Sequence, residues 1–271
     1  MRYPALIFYL VLSLATAATL FPLVWMVSVS LMPPAEAMRY PPPLWPEAPT
    51  LEHYRTLFDR LAIARYALNS LVLAGAVTAL SVLVNAAAGY AFARLPFVGR
   101  DALFRLLMTF MVIPGQVAML PLFLLLKQLG LINTYAGVIV PGLASIFGIF
   151  LVRQYALSLP QSLFDAARLE GAGELRIFWS LVLPLCRPIL ITLAVFTFLG
   201  SWNDFLWPLI VLTDRRFQTL PVALAALMGE HAVDTELMMS GAALTVVPVI
   251  VLFLAAQRYY LGGLMQGGVK G

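Results

Sequence analysis

The stretch "DAARLEGAGELRIFWSLVLPL", residues 165–185, decides how the rest of this chain is read. Asp165, Arg168, Glu170, Glu174 and Arg176 crowd into its first half, with Gly171 and Gly173 between them. The surrounding chain is of another kind. Of 271 residues, 62% are hydrophobic and only 11% are charged, whereas a soluble domain carries about 25% charged residues. Mean hydropathy is +0.91. A short charged segment broken by glycines is therefore the exception that needs a reason.

The apolar remainder supplies the frame. A helix needs about 20 predominantly apolar residues to cross a bilayer, and such runs recur along the sequence. They are continuous runs of Leu, Val, Ile and Ala rather than alternating ones, which excludes a spanning β-barrel. Six spans are expected, at roughly residues 5–31, 66–93, 106–126, 135–152, 188–212 and 237–256. The chain is thus predicted to be all-α and polytopic, one transmembrane domain over residues 1–271. "ATAA" at residues 15–18 resembles a signal-peptide cleavage site, but the apolar run continues through Leu31 and lacks a strongly basic start. An uncleaved first span is expected.

Positive charge sets the orientation. With the N-terminus inside, the inner face holds Arg2, Arg94, Arg100, Arg105, Arg153, Arg168, Arg176, Arg187, Arg258 and Lys270. The outer face holds Arg39, Arg55, Arg60, Arg65, Lys127, Arg215 and Arg216. Both termini and the 165–185 stretch are then expected in the cytoplasm. The first outer loop contains "LEHYRTLFDRL", where Leu51, Tyr54, Leu57, Phe58 and Leu61 recur at helical spacing, so an amphipathic surface helix is expected. The second, residues 213–236, reads as a polar loop ending in Glu230, Asp234 and Glu236.

Several chemistries lack their residues. A phosphate-cradling loop needs a lysine after a glycine-rich turn, and the only lysines are Lys127 and Lys270. One cysteine, Cys186, excludes an intrachain disulfide. His53 and His231 have no second ligand at metal spacing and read as ordinary loop or helix-end residues. No nucleophilic triad is apparent from spacing. Within the spans only Asp204, in "SWNDFLWP", carries charge, at a cost of about 2.5–3.5 kcal/mol on insertion scales. If the fifth span is continuous from Pro188, Asp204 lies about 24 Å along it, where it either bonds a neighbouring helix or faces a polar path. The scarcity of ionisable groups in the spans disfavours an ion-driven carrier.

Pro160 can open a helix because the first turn does not use its missing N–H. "QSLFDAARLE" continues that helix, and the glycines stop or turn it. "ELRIFWSLVL" forms a second short helix before Pro184. The segment reads as a helix–turn–helix with small alanines that admit close approach, an arrangement suited to docking.

These residues resemble the EAA loop of ABC-importer permeases. The family pattern is Glu-Ala-Ala, three residues, Gly, nine residues, then Ile-x-Leu-Pro. Here Asp165, Ala166 and Ala167 take the first places, Gly171 the glycine, and Leu181 to Pro184 the end, with Leu183 and Pro184 matching the closing pair. Asp replaces Glu and Leu replaces Ile, both mild changes. "PTLEHYRTLF", "RYALNSL", "AAGYAFARLPFVGR", "SWNDFLWPLIVLTD", "QTLPVAL" and the ending "GGVKG" are similar to maltose-permease-like subunits. The resemblance covers nearly the whole chain. It implies a type I ABC importer permease fold, with a coupling loop over about residues 158–187. It also implies import of sugars or oligosaccharides, with glycerol-phosphate or other polyol permeases as close relatives. The implied partners are a second permease in a heterodimer, two cytoplasmic ATPase subunits that bind ATP and Mg, and an extracytoplasmic solute-binding protein; nucleic acid is not among them. No cofactor or metal is implied for this chain itself, nor enzymatic activity. The implied location is a bacterial or archaeal inner membrane. Asp165, Ala166, Ala167, Gly171, Leu183 and Pro184 would couple to the ATPase, and Asn203 and Asp204 are candidates for the translocation pathway. A secondary carrier or a non-transporting scaffold is the disfavoured rival reading.

Overall fold

The computed structural model describes residues 3–41, 43–59, 61–230 and 234–268. Arg2, Arg60, His231 and Lys270, and the side chains of Glu230 and Arg258, lie outside the described residues. Every regular element among those described is helical. In chain order they are α1 (Tyr3–Ser30), α2 (Pro34–Ala37), α3 (Glu52–Asp59), α4 (Ile63–Arg94), α5 (Arg100–Phe110), α6 (Met119–Gln128), α7 (Tyr135–Ile139) and α8 (Ile146–Ser158). There follow α9 (Gln161–Leu169), α10 (Glu174–Ile177), α11 (Leu183–Leu185), α12 (Arg187–Trp202), α13 (Leu206–Val211), α14 (Leu220–Glu230) and α15 (Thr235–Gly268). Three helices are long and apolar enough to cross a membrane on their own, and three bent pairs bring the number to six.

The first, second and sixth spans appear as α1, α4 and α15; α1 and α4 are slightly longer than the sequence suggests, and α15, at 34 residues, is much longer. The other three are broken. The third bends by 95° between α5 and α6, and the fourth by 41° before α8. Pro114 lacks the N–H that would carry the helix on. The fifth is a correction at both ends: its bent pair is Glu174–Leu185 with Arg187–Trp202, at 79°, and α12 ends at Trp202 before α13 starts at Leu206, so Asp204 sits in a break and not 24 Å along a continuous helix. Hydropathy records that a stretch is apolar but not that its backbone turns.

The chain divides into two compact units, one of Met1–Ala67 with Leu220–Val251, the other of Leu68–Thr219 with Leu252–Gly271. In the first, the hydroxyls of Thr16 and Thr19 return to the carbonyls of Leu12 and Ala15, at 2.8 Å each. That satisfies polar groups on an otherwise apolar helix. Ser28 Oγ donates to the Leu44 carbonyl (2.6 Å) and the Thr50 N–H to the Leu31 carbonyl (2.8 Å), which fold the loop back on the end of α1. The surface helix forms as α3, but its buried residues are His53 and Leu57, while Leu51 and Phe58 stay exposed. His53 Nε2 reaches the Met32 carbonyl (2.8 Å) and Tyr54 pairs with Ser30 (2.8 Å), so polar partners rotate the docked face. The 213–236 stretch is likewise corrected. It contains α14, which Pro221 opens in its first turn and in which Leu220, Val222 and Ala223 are buried.

In the second unit α4 runs past two hydrophobic clusters. Leu73 joins Leu126, Val138, Trp207, Val211 and Leu212. Further along, Ala86, Tyr90 and Ala93 join Val152, Phe164, Ile177, Phe178 and Val182. Between them lies fully buried Asn85. Its amide donates to Ser81 Oγ and to the Ser81 carbonyl, both at 2.7 Å, and its Oδ1 accepts the Ser145 N–H at 2.9 Å. Ser145 then caps α8 by accepting from the Gly148 N–H (3.2 Å). One asparagine thus satisfies the backbone at the break in the fourth span, where an unpaired group would cost a few kcal/mol.

Candidate functional site

Two features of the second unit carry functional chemistry: the charged loop and a cavity of mixed polar and apolar lining.

The loop begins as its prolines and glycines suggest. Pro160 precedes α9, and α9 closes in a Schellman motif. The Gly171 N–H donates to the Arg168 carbonyl and the Ala172 N–H to the Ala167 carbonyl, both at 3.0 Å. Gly171 has φ +82°, and a Cβ there would meet nothing within 4 Å. Glycine is needed for the backbone angle, and no side chain would clash within this chain. Gly173 is extended (φ −70°) and starts α10. A π-turn over Phe178–Val182 leads to α11 with Leu183 and Pro184.

The fixing of this loop was not legible in the local pattern. Phe164, on α9, is fully buried. Tyr90 stacks on it with centroids 6.2 Å apart, and the Arg94 guanidinium lies 4.6 Å from its centroid. Arg94 also donates to the carbonyls of Ala156 (2.7 Å) and Leu159 (2.6 Å), and to Gln161 Oε1. The Tyr90 hydroxyl donates to Glu174, and Arg168 Nε donates to Glu174 Oε1 at 2.9 Å. The loop is therefore clamped to α4, 67 to 84 residues earlier in the chain, as well as to its sequence neighbours. The bond to Glu174 raises the Arg168 pKa further above its ordinary value, so this pair stays ionised at any physiological pH.

Asp165 is exposed, accepts from Gln161 Nε2 (2.9 Å) and lies 3.6 Å from Arg168. Exposed pairs of this sort contribute about 0–1 kcal/mol. Ala166 is exposed, and Ala167 packs against the core around Phe164. Leu183 is half-buried and Pro184 exposed. The loop also exposes large apolar residues that the motif did not single out: Leu169 is 90% exposed, Leu175 77% and Trp179 57%. Large exposed apolar patches are characteristic of protein–protein or membrane contact surfaces.

The cavity has a volume of about 540 Å³, within the roughly 300–1,000 Å³ range of small-molecule sites. Its walls come from α4, the 115–122 segment, residues 138–147 and the α12–α13 break. Ser81, Gln116, Ser145, Thr197, Ser201 and Asp204 are its polar lining. Asp204 Oδ1 accepts the Trp207 N–H at 3.4 Å, and the Trp207 indole donates to the Gly137 carbonyl at 3.1 Å. Of the two residues named for a pathway, only Asp204 lines the cavity. Asn203 is exposed, and its amide folds back on the Leu199 carbonyl (2.9 Å).

A helical, multi-span chain with a docked, partly exposed loop is the architecture of a membrane permease that works within a larger complex. The chain belongs to the binding-protein-dependent transport system inner membrane components, whose family model matches residues 85–261. That stretch includes the whole loop and the cavity's α12–α13 wall. The chain is 39% identical over 254 residues to the arabinooligosaccharides transport system permease protein AraQ of Halalkalibacterium halodurans, covering 93% of this chain and 91% of the relative. It is 32% identical over 231 residues to the melibiose/raffinose/stachyose import permease protein MelC of Bacillus subtilis, covering 84% of each. A chain in the crystal structure of a bacterial ABC transporter involved in the import of the acidic polysaccharide alginate superposes with TM-score 0.85. That match has 22% sequence identity and covers 96% of this chain and 97% of the other. The fold is thus the type I ABC importer permease fold.

Proposed function

We propose that this chain is a sugar- or oligosaccharide-importing permease, one of two permeases in a heterodimer that works with two ATPase subunits and a solute-binding protein. ATP and Mg are bound by the ATPase subunits, and this chain performs no chemistry of its own. The 160–184 loop faces the cytoplasm, as do both termini, and docks on an ATPase subunit through Asp165, Ala166, Gly171 and the exposed apolar residues beside them. Ala167, Leu183 and Pro184 hold the loop's shape. Closure of the ATPase pair pushes α9, and the clamp of Tyr90 and Arg94 carries that push into α4. Asp204, with Asn203 beside it, belongs to the translocation pathway, and the turn after Thr213 faces the binding protein.

The observation that carries this reading is the loop itself. Phe164 anchors it against Tyr90, while Leu169, Leu175 and Trp179 stay exposed on it. The test is uptake into proteoliposomes that contain this chain with its companion permease, the ATPase and the binding protein. Uptake of arabinotriose, raffinose or lactose is expected only with internal ATP and with the binding protein outside. The pure chain should neither hydrolyse ATP nor transport. ATP-independent uptake by the pure chain would make it a secondary carrier.

A further inference from the structure

The geometry points to the cavity as this chain's own binding site for a neutral sugar unit, with Asp204 as the acceptor for its hydroxyls. The inference rests on the sugar-importer reading and adds which subunit holds the substrate and which sugars the site admits.

Three observations converge on it. The first is unspent polarity. A carboxylate offers about four acceptor positions, and Asp204 accepts from the peptide N–H groups of Trp207 (3.4 Å) and Leu206, which leaves about two open. The side chains of Gln116, Thr197 and Ser201 line the same cavity and have no hydrogen-bond partner among the described residues. Polar groups that line a hollow between spans need water or a ligand to satisfy them. The second is the apolar complement. Phe147 and Phe196 stand edge-to-face, 6.3 Å between centroids, and both line the cavity while remaining substantially exposed. A pyranose or furanose presents C–H faces to aromatic rings and hydroxyls to acceptors and donors, which is the mixture this lining offers.

The third observation is charge. Among the described residues lining the cavity, Asp204 is the one ionisable side chain, and none is Arg, Lys or His. A phosphate or a uronate would meet that carboxylate with no cation to offset the repulsion. The site therefore selects neutral saccharides and disfavours sugar phosphates and acidic sugars.

Gly200 provides a clean probe. It lines the cavity, and a Cβ there would meet nothing within 4 Å. The series Gly200→Ala, Gly200→Leu and Gly200→Trp fills the space in steps without backbone collision. The assay is the complete reconstituted importer, supplied with the di- and trisaccharide of whichever sugar series the wild-type complex imports, among arabinooligosaccharides and the raffinose family. Two rates are read: uptake, and ATP hydrolysis stimulated by the loaded binding protein. Gly200→Ala should stay within about twofold of wild type. Gly200→Leu should lose the trisaccharide before the disaccharide, and Gly200→Trp should lose both by about tenfold or more, with hydrolysis retained throughout. Asp204→Asn keeps an acceptor for the Trp207 N–H, and should also lose uptake by about tenfold while hydrolysis persists.

A second measurement needs no sugar. A cysteine at Ser201, in a Cys186→Ser background, should react faster with a cationic than an anionic methanethiosulfonate, and Asp204→Asn should abolish that preference. Wild-type uptake by Gly200→Trp would overturn the inference, as would joint loss of uptake and hydrolysis across the series or an anion preference at Ser201. If the wild-type complex shows no stimulated hydrolysis at all, the importer reading fails instead.

Discussion

The two ends of the second unit's long helix are held by different chemistry. Leu73 and Tyr90 lie about 25 Å apart along α4 at 1.5 Å per residue. Around Leu73 the helices are broken, and amides repair the breaks. Asn69 donates to the carbonyls of Arg216 and Gln218, both at 2.9 Å, and accepts from the Tyr135 hydroxyl at 2.7 Å. Asn133 accepts from Thr213 Oγ1 (3.0 Å) and the Asp214 N–H (2.9 Å). Around Tyr90 the joints are aromatic faces, a guanidinium and an ion pair. Amides that satisfy interrupted backbone let the helices break inside the unit, and the cavity is lined by residues beside such breaks. Stacked rings under a guanidinium leave no such space, and build a surface that keeps its shape when pushed. In the proposed function, one end borders the solute path and the other transmits force.

That comparison breaks most severely at Phe164. Phe164→Ala removes the ring under Tyr90 and Arg94, at a cost of about 3–5 kcal/mol for a buried aromatic. The loop should detach from α4 while the spans still insert. Limited proteolysis between α9 and α10 should rise sharply, with permease levels in the membrane little changed. Arg94 sharpens the same point at smaller cost. Arg94→Ala should destabilise by about 2–3 kcal/mol, since it frees carbonyls at the end of α8. Arg94→Lys keeps the charge but not the fork, and should lie between Ala and wild type in thermal melting of the purified complex.

Gly171 has the smallest expected effect. A non-glycine residue at φ +82° is strained by about 1–2 kcal/mol. Since a Cβ has room, the defect should come from the backbone angle rather than bulk. Gly171→Asn, which tolerates that angle better, should transport better than Gly171→Ala. Equal defects in both would mean that an outside partner presses on this position.

Much of this architecture is written locally. α1, α4 and α15 are legible because span length and hydropathy are properties of one stretch. The end of α9 is legible because Gly171 answers a backbone requirement of its own turn. The breaks are not, because they depend on partners far away. The bend before α8 needs Asn85, and the turn at Thr213 needs Asn133. Tyr90 looks like an ordinary member of an apolar run and Phe164 like one apolar residue of a charged helix, and only the fold brings them together. α14 was hidden because its apolar residues were averaged with the polar ones flanking it. Asp204 was conspicuous from the start, since a lone acid in a span demands a reason, but its cavity is assembled from four separate segments.

The central claim is that the exposed side of the loop is where an ATPase subunit binds. Leu169 tests it most directly, because at 90% exposure it supports nothing within this chain. The measurement is the amount of ATPase subunit recovered per permease when Leu169→Glu is purified through a tag on this chain. A drop of about tenfold, with permease yield and melting temperature unchanged, is the predicted result for a desolvated apolar anchor at an interface. Recovery of the ATPase at the wild-type ratio would contradict the account.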